Sequence, residues 1–292
     1  MKNICVVGSI NADLMLQVDK LPLPGETLTG TSFEILPGGK GMNQAVCAAK
    51  LGADVTMAGC VGDDEYKDML LQVLKDNQII TDYVRICPEN TGLAIVTTSP
   101  EDNNIIVIPG ANYEVDMDYI HSVREVIVSS HMVLLQLEIP IETVYYVIDL
   151  CYENKIPVIL NPAPAKDLKK EYIDKVTYFT PNENELAKIF GQPAEDVLAL
   201  YPNKIIMSAG KDGAYFHNGE ELVHCKAETI QVVDTTGAGD AFNGALAVFI
   251  LLGKDLEEAV KSANKVAALT ASAKGAQGAM PNINTLGGWV EK

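Results

Sequence analysis

A chain of 292 residues suggests about two domains, although α/β folds often use such a length as one unit. With 48% hydrophobic and 21% charged residues it reads as an ordinary soluble globular protein, and no apolar run approaches the ~20 residues of a membrane span. A net charge of -17 repels nucleic acid and acidic membrane surfaces, so any anionic ligand must be met by local amides and cations.

Six scattered cysteines form no Cys-x-x-Cys pair, and several lie in apolar strand or helix patterns and read as small core residues. The four histidines lack metal-ligand spacing, which argues against zinc. Lys2 is followed by a short apolar run that meets Asn11 and Asp13 almost at once, unlike a secretory signal. A reducing cytoplasm is the expected setting.

Residues 3–10 form a continuous apolar run, which predicts a strand buried on both faces. Asn11 and Asp13 follow, two apart and so facing one way in extended chain. A carboxylate beside an amide suits vicinal hydroxyls, and the same pair also fits an Asx turn. Residues 14–18 and 26–36, on either side of Pro22, Pro24 and Gly25, predict part of a small separate sheet. Gly38, Gly39, Lys40, Gly41 and Asn43 then lead into a helix over residues 43–51. The spacing is not that of a P-loop. It reads as a contact to the acceptor molecule or as a Gly-rich helix entry. Residues 53–60 predict a strand and 64–76 an amphipathic helix. Residues 84–86, 92–98 and 104–108 are short and alternating, and predict antiparallel additions to the small sheet. Such a flap reads as a lid that keeps water from a reactive phosphate.

After Pro109 helices and strands alternate. Helices are expected over 116–128, 140–153, near 166–174 and from 182 to 190; strands over 132–135, 157–160, 177–179 and 204–208. This pattern predicts an α/β fold, a mainly parallel sheet between helical layers, with no linker to divide it. Polar residues gather past the strand ends: Glu138, Asn161, Asn182 and Glu185. Asn182 and Glu185 have capping-box spacing, or contact a ligand. Ser208, Ala209, Gly210, Lys211, Asp212 and Gly213 form a Gly-flanked turn, either a plain hairpin or a site for phosphate and ribose.

The stretch from Asp234 to Gly244 carries the chemistry. It is expected between a strand over 228–233 and a helix over 241–252. The amides of Gly237, Ala238 and Gly239 at a helix N-terminus make an anion site. Asp240 at the same end suits a base acting on a hydroxyl that attacks that anion. A tight turn with Asp240 as N-cap fits the same residues. A further helix over 256–273 precedes residues 274–281, whose bare carbonyls read as ligands for a monovalent cation with Asp234, or as a plain loop.

These motifs, together with Asn161-Pro162-Ala163-Pro164-Ala165 and Lys274-Gly275-Ala276-Gln277, resemble the ribokinase-like carbohydrate kinases along essentially the whole chain. The resemblance implies one α/β domain with a small β lid over about 13–36 and 84–108. It implies ATP-dependent phosphorylation of the 5-hydroxyl of D-ribose, with related nucleoside or fructose kinases, or a regulator without turnover, as the alternatives. Asp240 would be the base, and Gly237, Ala238 and Gly239 the anion hole. Asn11, Asp13, Gly38, Gly39, Lys40, Gly41, Asn43 and Glu138 would bind the sugar. Asn182, the 208–213 turn, Gly239 and Asn264 would hold ATP, with Asn182 and Glu185 organising Mg2+. Asp234, Thr236, Thr270, Ala273, Gly275 and Ala279 would surround K+. Ala279 stands where the family often has a hydroxyl residue, and Asn264 where a histidine is also common. The resemblance further implies a homodimer formed through the lid.

Overall fold

Strand β1 (Asn3–Val7) is apolar along its length because it is buried on both sides: Ile4 and Val6 enter one core, Cys5 and Val7 the other. The chain then forms β2 (Asn11–Gln17) and β3 (Ser32–Gly38), and returns through α1 (Lys40–Lys50), β4 (Asp54–Gly62), α2 (Lys67–Asp76) and β5 (Val84–Cys87). It leaves again for β6 (Gly92–Thr98) and β7 (Asn103–Ile108). Helices α3 (Met117–Ser122) and α4 (Arg124–Val128) lead to β8 (Met132–Leu135), α5 (Ile141–Asn154) to β9 (Val158–Leu160), and α6 (Lys170–Lys175) to β10 (Tyr178–Phe179). Then come α7 (Glu183–Phe190), α8 (Ala194–Leu200), β11 (Met207–Ser208), β12 (Ala214–His217) and β13 (Leu222–Cys225). Helices α9 (Ala238–Leu251), α10 (Leu256–Ala271) and α11 (Ala276–Ala279) follow. The computed structural model describes residues 2–287 other than residue 101.

Six strands form a parallel sheet in the order β10-β9-β8-β1-β4-β5. Single parallel bridges, Phe179 to Ile205 and Asn182 to Ser208, carry the pairing on to an antiparallel sheet of β11, β12 and β13. Helices α1, α2, α9 and α10 cover one face through Met42, Leu70, Phe249 and Val266. Helices α3, α5, α6, α7 and α8 cover the other through Tyr119, Ile148, Ile173, Leu186 and Val197. This is the three-layer α/β architecture expected. All six thiols are buried and unpaired. No helix among the described residues is long and apolar enough to cross a membrane.

A separate four-stranded sheet runs β3-β2-β6-β7. Its membership corrects two expectations. Residues 84–86 do not join it, because β5 pairs with β4 at the edge of the main sheet. Nor is it wholly antiparallel: β2 and β6 pair in parallel. Each departs soon after a strand of the same parallel sheet, β1 and β5, so both leave in one direction.

Other expected elements are shortened or broken. The helix expected over 116–128 is two, divided at Val123. The strand expected over 26–36 survives only as β3. Residues 228–233 form no strand. Their Thr, Ile and Val suit one, but no neighbouring strand takes their backbone, and Val233 donates instead to the Ala271 carbonyl at 2.9 Å. Strands β12 and β13, unforeseen from the sequence, form an antiparallel hairpin that pairs Ala214 with Cys225 and His217 with Leu222.

Candidate active site

The polar residues collect at the carboxyl ends of the parallel strands, where ligands of such sheets bind. The entry to α1 is pressed against the turn between β1 and β2. A Cβ on Gly41 would lie 2.6 Å from the Ser9 nitrogen, and one on Gly39, which has φ +87°, would lie 2.8 Å from the Asn11 nitrogen. Only bare backbone fits, and that contact brings Asn11, Asp13, Lys40 and Asn43 to one rim. Glu138, beyond β8, joins them: its Oε2 accepts from the Ser9 hydroxyl at 2.5 Å and from the Lys40 amide at 3.0 Å. Gly38 lies under Asp13, where a Cβ would come within 2.1 Å of the carboxylate.

Asn112 holds Asn11 in place, donating through Nδ2 to Asn11 Oδ1 at 2.7 Å while its own Oδ1 accepts from the Ile10 amide at 2.8 Å. Asn112 carries no motif and is found only through the fold. Asp13 Oδ1 is buried without a hydrogen-bond partner. Burial, with the charges of Glu138 and Asp240, pushes Asp13 up to about 7. Lys40 is pushed down by burial, but Asp240, Glu138, Glu185 and Asp13 outweigh this and hold its ammonium above the usual range. A partly buried cation among carboxylates with one unpartnered oxygen is suited to a polyhydroxylated neutral molecule.

Asp240 sits in the first turn of α9 and is buried. Gly237 precedes that helix with φ +75°, and a Cβ there would meet the Ala276 Cβ at 2.6 Å. The first helical bond runs from the Ala241 amide to the Gly237 carbonyl at 2.8 Å. The Ala238 amide donates to the Thr235 carbonyl at 3.2 Å. Of the expected trio of amides, Ala238 is engaged within the turn; the Asp240 amide, like that of Gly239, lies in the first turn where N–H groups lack an intrahelical acceptor. Asp240 Oδ2 accepts from Asn43 Nδ2 at 3.0 Å and Oδ1 from Gln44 Nε2 at 3.1 Å. Burial raises the Asp240 pKa, while Lys40 and these two amides oppose the rise. It is not an N-cap.

Beyond Gly239 opens a cavity of about 520 Å³, between α9, α10 and the β11–β12 turn. Asn182, Ser208, Gly210, Lys211, Gly213, Gly239 and Asn264 line it, as does the extended segment carrying Thr229 and Ile230. Ala209 and Asp212 do not. Asp212 turns its carbonyl oxygen to the His224 ring at 2.6 Å. Asn182 and Glu185 do form the capping box: Glu185 donates its amide to Asn182 Oδ1 and accepts the Asn182 amide at Oε2, each at 2.8 Å. Burial raises the Glu185 pKa, and the Asn182 amide and Lys40 oppose it. Asn264 Nδ2 donates to the Cys225 carbonyl at 2.7 Å, which braces β13 against α10 at the cavity wall.

Asp234 accepts from the Thr236 amide and hydroxyl at 2.9 and 2.6 Å and from the Gly275 amide at 2.9 Å. Burial pushes Asp234 up, but these donors and Lys274 outweigh it and hold the carboxyl below its usual range. The Thr270 hydroxyl donates to the Val266 carbonyl at 2.9 Å, and its carbonyl accepts from the Ala273 amide at 3.4 Å. Ala279 closes the short α11 and offers no hydroxyl. One ionised carboxylate with backbone carbonyls suits a large monovalent cation. No cluster of three His, Cys, Asp or Glu side chains for another metal occurs among the described residues.

The model of the pfkB family carbohydrate kinases matches residues 1–283. The ribokinase of Bacillus subtilis is 47% identical over 286 residues, covering 97% of this chain and 98% of its own length. Two solved ribokinases superpose closely. That of Thermotoga maritima has a TM-score of 0.90 at 34% identity over 99% of both chains. That of Arabidopsis thaliana, complexed with ribose and ATP, has a TM-score of 0.87 at 32% identity over 98% of this chain and 97% of its own.

Proposed function

This chain belongs to the pfkB family of carbohydrate kinases, and we propose that it transfers the γ-phosphoryl group of ATP to the 5-hydroxyl of D-ribose, yielding D-ribose 5-phosphate and ADP. One observation carries the reading. Asp240 lies between two chemically distinct spaces, the rim of Asp13, Lys40, Asn43 and Glu138 and the 520 Å³ cavity that reaches Gly239.

In this reading Asn11, Asp13, Lys40, Asn43 and Glu138 bind and orient the sugar, with the backbone of Gly38, Gly39 and Gly41 approaching it closely. Asp240 takes the proton of the primary hydroxyl onto a carboxylate oxygen. The Gly239 and Asp240 amides, at the positive end of α9, offset charge on the transferring phosphoryl group. The cavity volume suits a nucleoside, with Asn182, Ser208, Gly210, Lys211, Gly213 and Asn264 on its walls. Magnesium, bound with the phosphates, would neutralise their charge; Asn182 and Glu185 stand where it would be organised. Potassium would be held by Asp234, Gly275 and the carbonyls of Thr236, Thr270, Ala273 and Ala279, fixing the loop against which Gly237 packs.

The four-stranded sheet, about residues 13–36 and 92–108, is the lid in this reading, and the whole chain one domain. Its register supports a homodimer. Phe33 and Ile35 stand beside Leu16 and Leu14, and Ile95 and Leu93 beside Ile106 and Ile108, on one apolar face. Phe33 is 58% and Ile106 61% exposed in the single chain. Buried unpaired thiols support a reducing setting, the cytoplasm.

An assay of ADP release with ribose, deoxyribose, fructose and adenosine tests the assignment. Ribose is expected to give the highest kcat/KM, and a preference for adenosine overturns it. A regulator without turnover is disfavoured because such a protein has no use for a buried carboxylate at an anion-binding helix end.

A further inference from the structure

Asn43 and Gln44 each present an NH2 group to Asp240, yet either amide reversed would set an oxygen against the carboxylate. Asp240 accepts only, so it calls for these NH2 faces, and each inner oxygen is met from behind by an outer amide whose own oxygen, Gln277 Oε1 or Gln136 Oε1, has no hydrogen-bond partner. Gln277 Nε2 donates to Asn43 Oδ1 at 2.9 Å, and Gln136 Nε2 donates to Gln44 Oε1 at 2.7 Å. With its oxygen so engaged, each inner amide has only its NH2 group to turn toward residue 240. Gln44 spends its second hydrogen on Asn161 Oδ1 at 3.3 Å, which is anchored in turn on the Thr180 carbonyl at 3.1 Å. All four amides are at least nine-tenths buried, so no bulk water competes for these faces. The loop that carries Gln277 is itself pinned to α1, because Lys50 Nζ donates to the Gln277 and Met280 carbonyls at 2.6 and 3.1 Å.

We propose that Gln277 and Gln136 are positioning residues which, without touching substrate, lock Asn43 and Gln44 with their donors toward Asp240 and so keep the base ionised and aimed. The consequence for catalysis rests on the kinase reading above; the effect on Asp240 itself does not. The charged groups around Asp240 are Lys40 on α1, Asp13 on β2, Glu138 beyond β8 and Glu185 on α7. None of them changes in the variants below.

The test follows the carboxyl carbon of Asp240 by 13C NMR titration, assigned by its loss in Asp240→Asn, in Gln277→Glu, Gln277→Met and Gln136→Met. A glutamate at 277 accepts only, so Asn43 must reverse and face Asp240 with its oxygen. The Asp240 titration is expected to move up by about one pH unit in that variant. A smaller upward step is expected in each Met variant, where a donor is lost and no charge is added. In parallel, kcat is expected to fall about tenfold in Gln277→Glu, with ADP affinity within twofold of the parent. Titrations unmoved in both Met variants overturn the proposal, since a shift confined to the Glu variant is the effect of its charge alone. A kcat loss with no change in titration also overturns it. Because the titration needs no turnover, failure of wild-type protein to phosphorylate any sugar sinks the kinase reading while this result stays readable.

Discussion

Asp240 is buried and Asp13 partly buried in the same site, but their surroundings assign them different tasks. Burial raises the pKa of both, but at Asp240 the rise is opposed by Lys40 and two amide donors, which favour the charged form a base requires. Asp13 has a bare oxygen and two carboxylate neighbours. Replacing Asp240 by Asn is expected to leave sugar affinity within a few-fold and to cut kcat by about 10²–10⁴, measured by single-turnover kinetics. Unchanged turnover removes Asp240 from the chemistry. Asp13 yields a stability prediction. Its pKa rises from 3.8 to about 7 on folding, so the folded state binds the proton more tightly. Its contribution is full below pH 4 and is lost as pH rises toward 7, at no more than about 1.4 kcal/mol per pH unit. In sugar-free protein, Asp13→Asn is therefore expected to gain stability over the parent at pH 7.5 relative to pH 4.5. Urea unfolding at the two pH values measures the difference, and a parallel pH response in both proteins removes Asp13 as its source.

At the scale of elements, the start of α9 decides the geometry. Its apolar run announces a helix, and Gly237 and Gly239 announce a sharp entry. The sequence does not show why Gly237 is needed. The need comes from α11, whose Ala276 occupies the space a side chain would take. Gly237→Ala combines strain at φ +75° with that clash, and is expected to cost about 1–3 kcal/mol in urea unfolding and to lower kcat. An unchanged midpoint means α11 yields freely. The capping box of α7 was legible because both partners lie within one turn. The absence of a strand at 228–233 was not, since β-propensity is local and a partner strand is not.

For the molecule as a whole, two features go beyond one chain's catalytic rim. The apolar face of the four-stranded sheet is expected to pair with that of a second copy. Phe33→Glu is expected to weaken such a dimer at least about tenfold, read by light scattering across a dilution series. A parent protein that is monomeric at all concentrations removes the lid interface. The loop from residue 274 to 279 joins this sheet, through the Lys274–Glu34 ion pair at 3.1 Å, to Gly237 and, through Gln277, to Asn43. Exchanging potassium for tetramethylammonium is therefore expected to lower kcat severalfold at constant ionic strength. A rate indifferent to the cation argues against a site at Asp234.

What the amino-acid order determined by itself was whatever depends on near neighbours. The doubly buried β1, the helix–strand alternation after residue 109, the glycine-rich entries to α1 and α9, and the place of Asp240 in the first turn of α9 were all legible there. Tertiary structure alone decided the rest. Asn112 reaches Asn11 across 101 residues, Gln277 reaches Asn43 across 234, and β5 joins β4 rather than the small sheet. A lone buried amide has no periodicity and no motif. Its meaning lies in which distant donor or acceptor the folded backbone sets against it, and only close packing across the whole chain supplies that partner.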